Sequence, residues 1–162
     1  MKRIYANEDA CIGCRLCELY CQVEHSQSRD ILRAFKRERA LPPPRIRIHQ
    51  AAESFVAVQC QHCPEPPCVY ACLTGALRKD PVSSVVTLDS ERCVGCWTCV
   101  MVCPFSAITP SLAEDVIVKC DLCPELDVPA CVAGCPNRAL LLLDDTKETG
   151  QTPAAVAAGE RI

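Results

Sequence analysis

Residues 93–104 read CVGCWTCVMVCP. Cys93, Cys96, Cys99 and Cys103 are separated by two, two and three residues, and Pro104 follows the last. A loop of that spacing curls around one corner of a metal–sulfide cube. Three thiolates can each reach a different iron, while the backbone N–H groups between them point at the sulfides. Gly95 supplies tight loop geometry, positive φ included.

The stretch is one of four. The others are CIGCRLCELYC with Cys11, Cys14, Cys17 and Cys21, CQHCPEPPCVYAC with Cys60, Cys63, Cys68 and Cys72, and CDLCPELDVPACVAGCP with Cys120, Cys123, Cys131 and Cys135. Together they use all sixteen cysteines of a 162-residue chain. Every group begins C-x2-C and ends C-x3-C, and only the middle spacing changes, from two to four, two and seven residues along the chain. The first and third groups share C-[IV]-G-C, whereas the second and fourth share C-x-x-C-P-E with a proline before the third cysteine. A two-group unit used twice accounts for the alternation. Three groups also end alike, in CLTGAL, CPFSAI and CPNRAL.

Other uses of so much cysteine fit less well. Structural zinc takes four ligands, usually as two spaced C-x2-C pairs, and C-x2-C-x2-C crowds a single tetrahedral ion. Disulfides belong to exported chains. The start, MKRIYANEDACIG, is basic but has no apolar core of a signal peptide, and no stretch approaches the ~18–20 apolar residues of a membrane span. The expectation is a cytoplasmic protein with reduced, metal-binding thiols. A net charge of −3 argues against nucleic acid as a partner. Aromatics make up only 4% of the chain, so something other than aromatic packing fills the interior.

With those motifs in hand, the chain resembles the four-cluster, ferredoxin-like electron-transfer subunits of multi-subunit redox enzymes. The resemblance covers about residues 1–143 and rests on CIGCRLC, QCQHCPEPPC, CVGCWTCVMVCPF, KCDLC and PACVAGCPNRAL. It implies four [4Fe–4S] clusters whose ligands are exchanged between groups, as the fourth cysteine is in two-cluster ferredoxins. Carried over, Cys11, Cys14, Cys17 and Cys135 hold cluster one, and Cys60, Cys63, Cys68 and Cys103 hold cluster two. Cys93, Cys96, Cys99 and Cys72 hold cluster three, and Cys120, Cys123, Cys131 and Cys21 hold cluster four. The implied fold is α+β, two interleaved bacterial-type 2[4Fe–4S] ferredoxin-like modules. Residues 1–21 with 104–143 form the outer module and 60–103 the inner one. Residues 22–59 are a basic insertion with a hairpin, and 144–162 a tail that contacts another subunit or a second copy.

Two departures stand out: Leu73 replaces the proline usual after the second group's last cysteine, and Gln22 follows Cys21. Neither position is a ligand. Trp97 is expected to pack over its cluster and limit solvent. The resemblance implies a non-catalytic relay serving a larger tungsten, molybdenum or nickel enzyme, with a flavin or ferredoxin as the other redox partner. The leaning is towards a tungsten aldehyde oxidoreductase. Formate dehydrogenase, carbon monoxide dehydrogenase, hydrogenase and a free-standing diffusible polyferredoxin are the alternatives.

Between the groups, Arg29, Arg33, Lys36, Arg37, Arg39, Arg45 and Arg47 face only Asp30 and Glu38, a net of five positive charges. That segment reads either as a solvated face or as a docking surface for an acidic partner. RDILRAFKRERAL predicts a short helix ended by Pro42-Pro43-Pro44. RIRIH and SFVAV predict a hairpin, and VVTLD, DVIVKC and ALLLL single strands. His25, His49 and His62 are expected to have no special role, and His62 not to be a ligand.

Overall fold

A computed structural model of the chain describes residues 2–111 and 114–144. Strand β1 (Lys2–Ala6) leads into the first cysteine loop and helix α1 (Leu16–Glu24). Helix α2 (Ile31–Arg37) and the strands β2 (Ile46–Ala51) and β3 (Ser54–Gln59) precede the second loop. After it come α3 (Pro67–Tyr70), β4 (Leu77–Lys79) and β5 (Val86–Leu88). A 3-10 turn over Ser90–Arg92 opens the third loop, followed by α4 (Thr98–Val102), β6 (Ile108–Ser111) and β7 (Val116–Lys119). The fourth loop ends in α5 (Ala130–Ala133) and β8 (Leu140–Asp144). Each cysteine group is thus a loop holding its first two cysteines and a short helix holding the third.

The strands form four antiparallel pairs, β1–β8, β2–β3, β4–β5 and β6–β7. Three are hairpins. The fourth joins the two ends of the described chain, with Ile4 opposite Leu142. The mixed helix-and-strand class is as expected, and so are the strands read from VVTLD, DVIVKC and ALLLL. The RIRIH–SFVAV hairpin also forms, with Ile46 and Ile48 buried and Arg47 and His49 exposed between them. It is tied down twice: Ile48 N–H donates to Glu18 at 2.6 Å, and Gln59 Nε2 donates to the Ile4 carbonyl at 2.8 Å.

Helix α2 is shorter than its sequence predicts. Asp30 caps its start by accepting the Arg33 N–H at 2.8 Å. The helix stops at Arg37, five residues before the prolines, because Glu38 turns extended and folds back. Its carboxylate accepts from the Ser28 hydroxyl at 2.6 Å and the Ser28 N–H at 2.9 Å. The basic segment is also less free than its composition implies. Arg29 pairs with Glu125 and Arg45 with Asp121, leaving Arg33, Lys36, Arg37, Arg39 and Arg47 exposed.

The interior divides into two apolar clusters. One gathers Ile4, Ile46, Ile48, Leu122 and Leu140 around Cys17, Cys21, Cys60, Cys120 and Cys131. The other gathers Leu77, Val86, Ile108 and Ile117 around Cys68 and Cys99. Buried cysteine stands where large aromatics would ordinarily fill a core. Of the 144–162 tail with its expected subunit contact, Asp144 ends β8 and the rest lies outside the described residues. Among the described residues no helix is long and apolar enough to cross a membrane.

Candidate metal centres

Each C-x2-C loop turns on a left-handed residue immediately before its second cysteine, and in the fourth Cys123 itself (φ 48°) is left-handed too. In the first and third groups it is Gly13 (φ 68°) and Gly95 (φ 64°), as the sequence indicates. In the second and fourth it is His62 (φ 47°) and Leu122 (φ 65°), where no glycine marks it. Arg15 and Trp97, each following the second cysteine of its group, are left-handed as well and begin α1 and α4. The chain departs from three groups through another shared turn. Gly75, Ser106 and Arg138, each three residues past a last cysteine, have φ of 64°, 50° and 52°. Each donates its N–H back to that cysteine's carbonyl at 3.2–3.3 Å.

These turns bring the cysteines together across groups. Cys11, Cys14, Cys17 and Cys135 line one cavity. Cys60, Cys63, Cys68 and Cys103 line a second, and Cys72, Cys93, Cys96 and Cys99 a third beside Trp97. The remaining four, Cys21, Cys120, Cys123 and Cys131, are all buried, and Cys21, Cys120 and Cys131 belong to one apolar cluster.

Burial dominates the thiols. It pushes Cys17 and Cys120 up to about 12, Cys68, Cys99 and Cys123 up to about 11, and Cys60 and Cys131 up as well. A neutral thiol is favoured at these positions until a cation replaces its proton. Cys72 moves the other way. Burial opposes the shift, but N–H and hydroxyl donors from Leu77 and Thr74 outweigh it. Backbone N–H groups also reach sulfur at Cys21 (from Arg45, 3.3 Å) and Cys135 (from Ala139, 3.2 Å). Donors aimed at sulfur and four-thiol cavities both suit an anionic metal–sulfide group. So does the buried Nε2 of His62, which has no hydrogen-bond partner among protein atoms. Only Cys14 and Cys96, of the sixteen, are exposed.

Two histidines prove more engaged than expected. His25 bridges α1 to the fourth loop, with Nδ1 at 2.7 Å from the Cys21 carbonyl and Nε2 at 3.3 Å from Asp121. Burial disfavours its charge, yet the bonds to Asp121 and Cys21 prevail and raise it to about 10. His62 is fully buried, and its Nδ1 accepts the Val86 N–H at 3.0 Å. Burial, with Lys119 second, lowers it to about 3. Sequence alone could not find Asp121, whose side chain accepts from Cys123 N–H at 3.1 Å and pairs with Arg45.

Comparison with known proteins matches this arrangement. A family described as the 4Fe-4S dicluster domain covers residues 51–145. An iron-sulfur protein of Rhodospirillum rubrum is 37% identical, over 87% of this chain and 81% of its own length. The electron transport protein HydN of Escherichia coli is 34% identical, over 89% of each chain. The thiosulfate reductase electron transfer subunit PhsB of Salmonella typhi is 36% identical, over 83% of this chain and 71% of its own. A chain of the active site complex BamBC of benzoyl coenzyme A reductase superposes with a TM-score of 0.50 at 20% identity, covering 98% of this chain and 86% of its own. That last likeness is one of fold. The chain belongs to the 4Fe-4S dicluster family of iron–sulfur electron-transfer subunits. It is a [4Fe–4S] protein, and its sixteen cysteines are consistent with four clusters.

Proposed function

We propose that the chain is a four-cluster wire, a non-catalytic subunit that relays single electrons between a larger catalytic oxidoreductase subunit and a second redox partner. The observation that carries this reading is the grouping of cysteines into three four-thiol cavities, each built from two sequence groups. The four cysteines left over, all buried, complete the fourth set. Site one is then Cys11, Cys14, Cys17 and Cys135, and site two Cys60, Cys63, Cys68 and Cys103. Site three is Cys72, Cys93, Cys96 and Cys99, and site four Cys21, Cys120, Cys123 and Cys131. Each bound [4Fe–4S] cluster would supply a one-electron couple.

The residues support the order one, four, two, three. Cys17 of site one and Cys60 of site two share one apolar cluster with Cys21, Cys120 and Cys131 of site four. Cys68 and Cys99 share one apolar cluster. Exposed Cys14 and Cys96 then mark the two ends where electrons arrive and leave. Two interleaved ferredoxin-like modules follow from this ordering, sites one and four drawn from the outer segments of the sequence and sites two and three from its middle. The hairpin β6–β7 packs on the inner pair through Ile108 and Ile117. The exposed Arg33, Lys36 and Arg37 on α2 offer the docking surface for an acidic face of the partner.

The partner we favour is a tungsten aldehyde oxidoreductase, on overall resemblance. The test is anaerobic purification of the native assembly, followed by elemental analysis. About sixteen irons per chain, after subtracting the partner's, is expected for four cubes. Tungsten alongside supports the favoured partner. Molybdenum redirects it to a formate-dehydrogenase type, and nickel to carbon monoxide dehydrogenase or hydrogenase. Iron with no second chain identifies a free shuttle, and zinc in place of iron overturns the reading.

A further inference from the structure

Lys119 ends β7 and immediately precedes Cys120. Its side chain is buried, with the residue only 3% exposed. Nζ donates to the Cys120 carbonyl at 2.7 Å and to the Val86 carbonyl. Val86 lines the cavity of Cys60, Cys63, Cys68 and Cys103. The ammonium is therefore bonded to the wall of site two on one side and to a site-four residue on the other. Among the described residues, no ion pair engages it. His62, which takes the N–H of the same Val86, offers it no negative charge. Two carbonyls satisfy hydrogen bonds but supply no counter-charge, and a buried ammonium without one is strongly disfavoured. The acid closest in sequence, Asp121, is taken up by Arg45 and His25, so an anion beside Lys119 would supply the charge it lacks.

We propose that Lys119 is the counter-charge shared by sites two and four, and that it sets the potentials of the clusters held there above those of the same clusters without it. The proposal rests on the four-site reading above. A [4Fe–4S] cluster on four thiolates is anionic and gains one further negative charge with each electron accepted from the donor partner. A fixed cation at its edge favours the reduced form, the net-charge lever on cluster potential. Its two carbonyl partners, Val86 on the wall of site two and Cys120 in site four, fix that position. Lys119 thus acts as a positioning residue on the two middle steps of the wire. The negative charge arriving there meets a standing positive one, so no proton need be taken up with the electron.

The experiment compares wild type with Lys119→Arg, Lys119→Gln and Lys119→Met in the full chain with its partners, purified anaerobically. Iron content and EPR-monitored redox titration are the readouts. Wild type without about sixteen irons sinks the four-site reading itself, whatever Lys119 does. With wild type fully loaded, the expected result is that two of four couples fall in the Gln and Met variants. The fall is at least tenfold in the reduction equilibrium, or about 59 mV for one electron. The other two couples stay in place, and the Arg variant behaves as wild type. The Gln variant keeps a donor for the two carbonyls, so its shift isolates charge from hydrogen bonding. Unmoved potentials in a loaded Gln variant would overturn the proposal, as would a common shift of all four couples or an Arg variant that falls as far as Gln. Uncharged variants that bind no iron would assign Lys119 to assembly and overturn it too.

Discussion

Asp121 organises more of the fourth loop than any ligand does. One carboxylate oxygen accepts from Cys123 N–H and from His25, and the other pairs with Arg45. Asp121→Asn keeps the size and removes the charge that all three partners need. The expected loss is about 1–3 kcal/mol, since charged hydrogen-bond partners are left unmatched in a partly buried place. Chemical denaturation of the iron-loaded protein checks it, and iron should leave the fourth site first. An unchanged midpoint would reduce Asp121 to a surface acid. At this scale the sequence was legible for the thiols and opaque for what surrounds them. Cysteine spacing announces a ligand because local loop geometry imposes it. Asp121 meets Arg45 and His25 from 76 and 96 residues away, a proximity that local patterning does not encode.

At the scale of elements, the turns carry the repeat. Gly75 and Gly95 have the same φ of 64°, but a side chain would meet different surroundings. At Gly75 a Cβ finds nothing within 4 Å, while at Gly95 it would sit 2.5 Å from the Asp115 carbonyl oxygen. Gly75→Ala should cost roughly 1–2 kcal/mol, the left-handed term alone. Gly95→Ala should cost more and loosen the third loop, with thermal melting and iron retention as the checks. The reverse substitution is expected at Arg138, exposed and left-handed. Arg138→Gly should stabilise by roughly 0.5–1 kcal/mol, the relief of strain less glycine's greater freedom when unfolded. The glycine loops were legible because glycine is the default there. The equivalent turns at His62 and Leu122 were not, because tertiary burial holds those side chains in a conformation their type disfavours. Helix α2 tests the docking surface: Arg33, Lys36 and Arg37 changed together to Glu should weaken co-purification of the partner and its salt sensitivity. Unchanged complex formation would return these residues to the solvated face.

For the whole molecule, two cores with cysteine at their centres tie stability to metal. Leu77→Ala, emptying a site 2% exposed in the second core, should cost about 2–5 kcal/mol. Its effect should fall on sites two and three before one and four, read as which EPR signals disappear first on warming. The mixed helix-and-strand class and most strands were legible in the chain. The pairing of its first and last described segments was not, because β1 (KRIYA) and β8 (LLLLD) are short and nothing in either pattern names the other.

That β1–β8 pairing also imposes a schedule on biosynthesis. Strand β1 is made well before its partner, which emerges roughly 130 residues later. At ≈ 5–20 residues per second, that is a wait of roughly 7–26 s on the ribosome. The β4–β5 hairpin, by contrast, closes as soon as its own residues appear. The middle of the chain can therefore mature while the N-terminal thiols still stand unpartnered in the nascent polypeptide. Those early cysteines face oxidants and stray metals longest, and cells making this protein must keep them reduced until the last strand arrives.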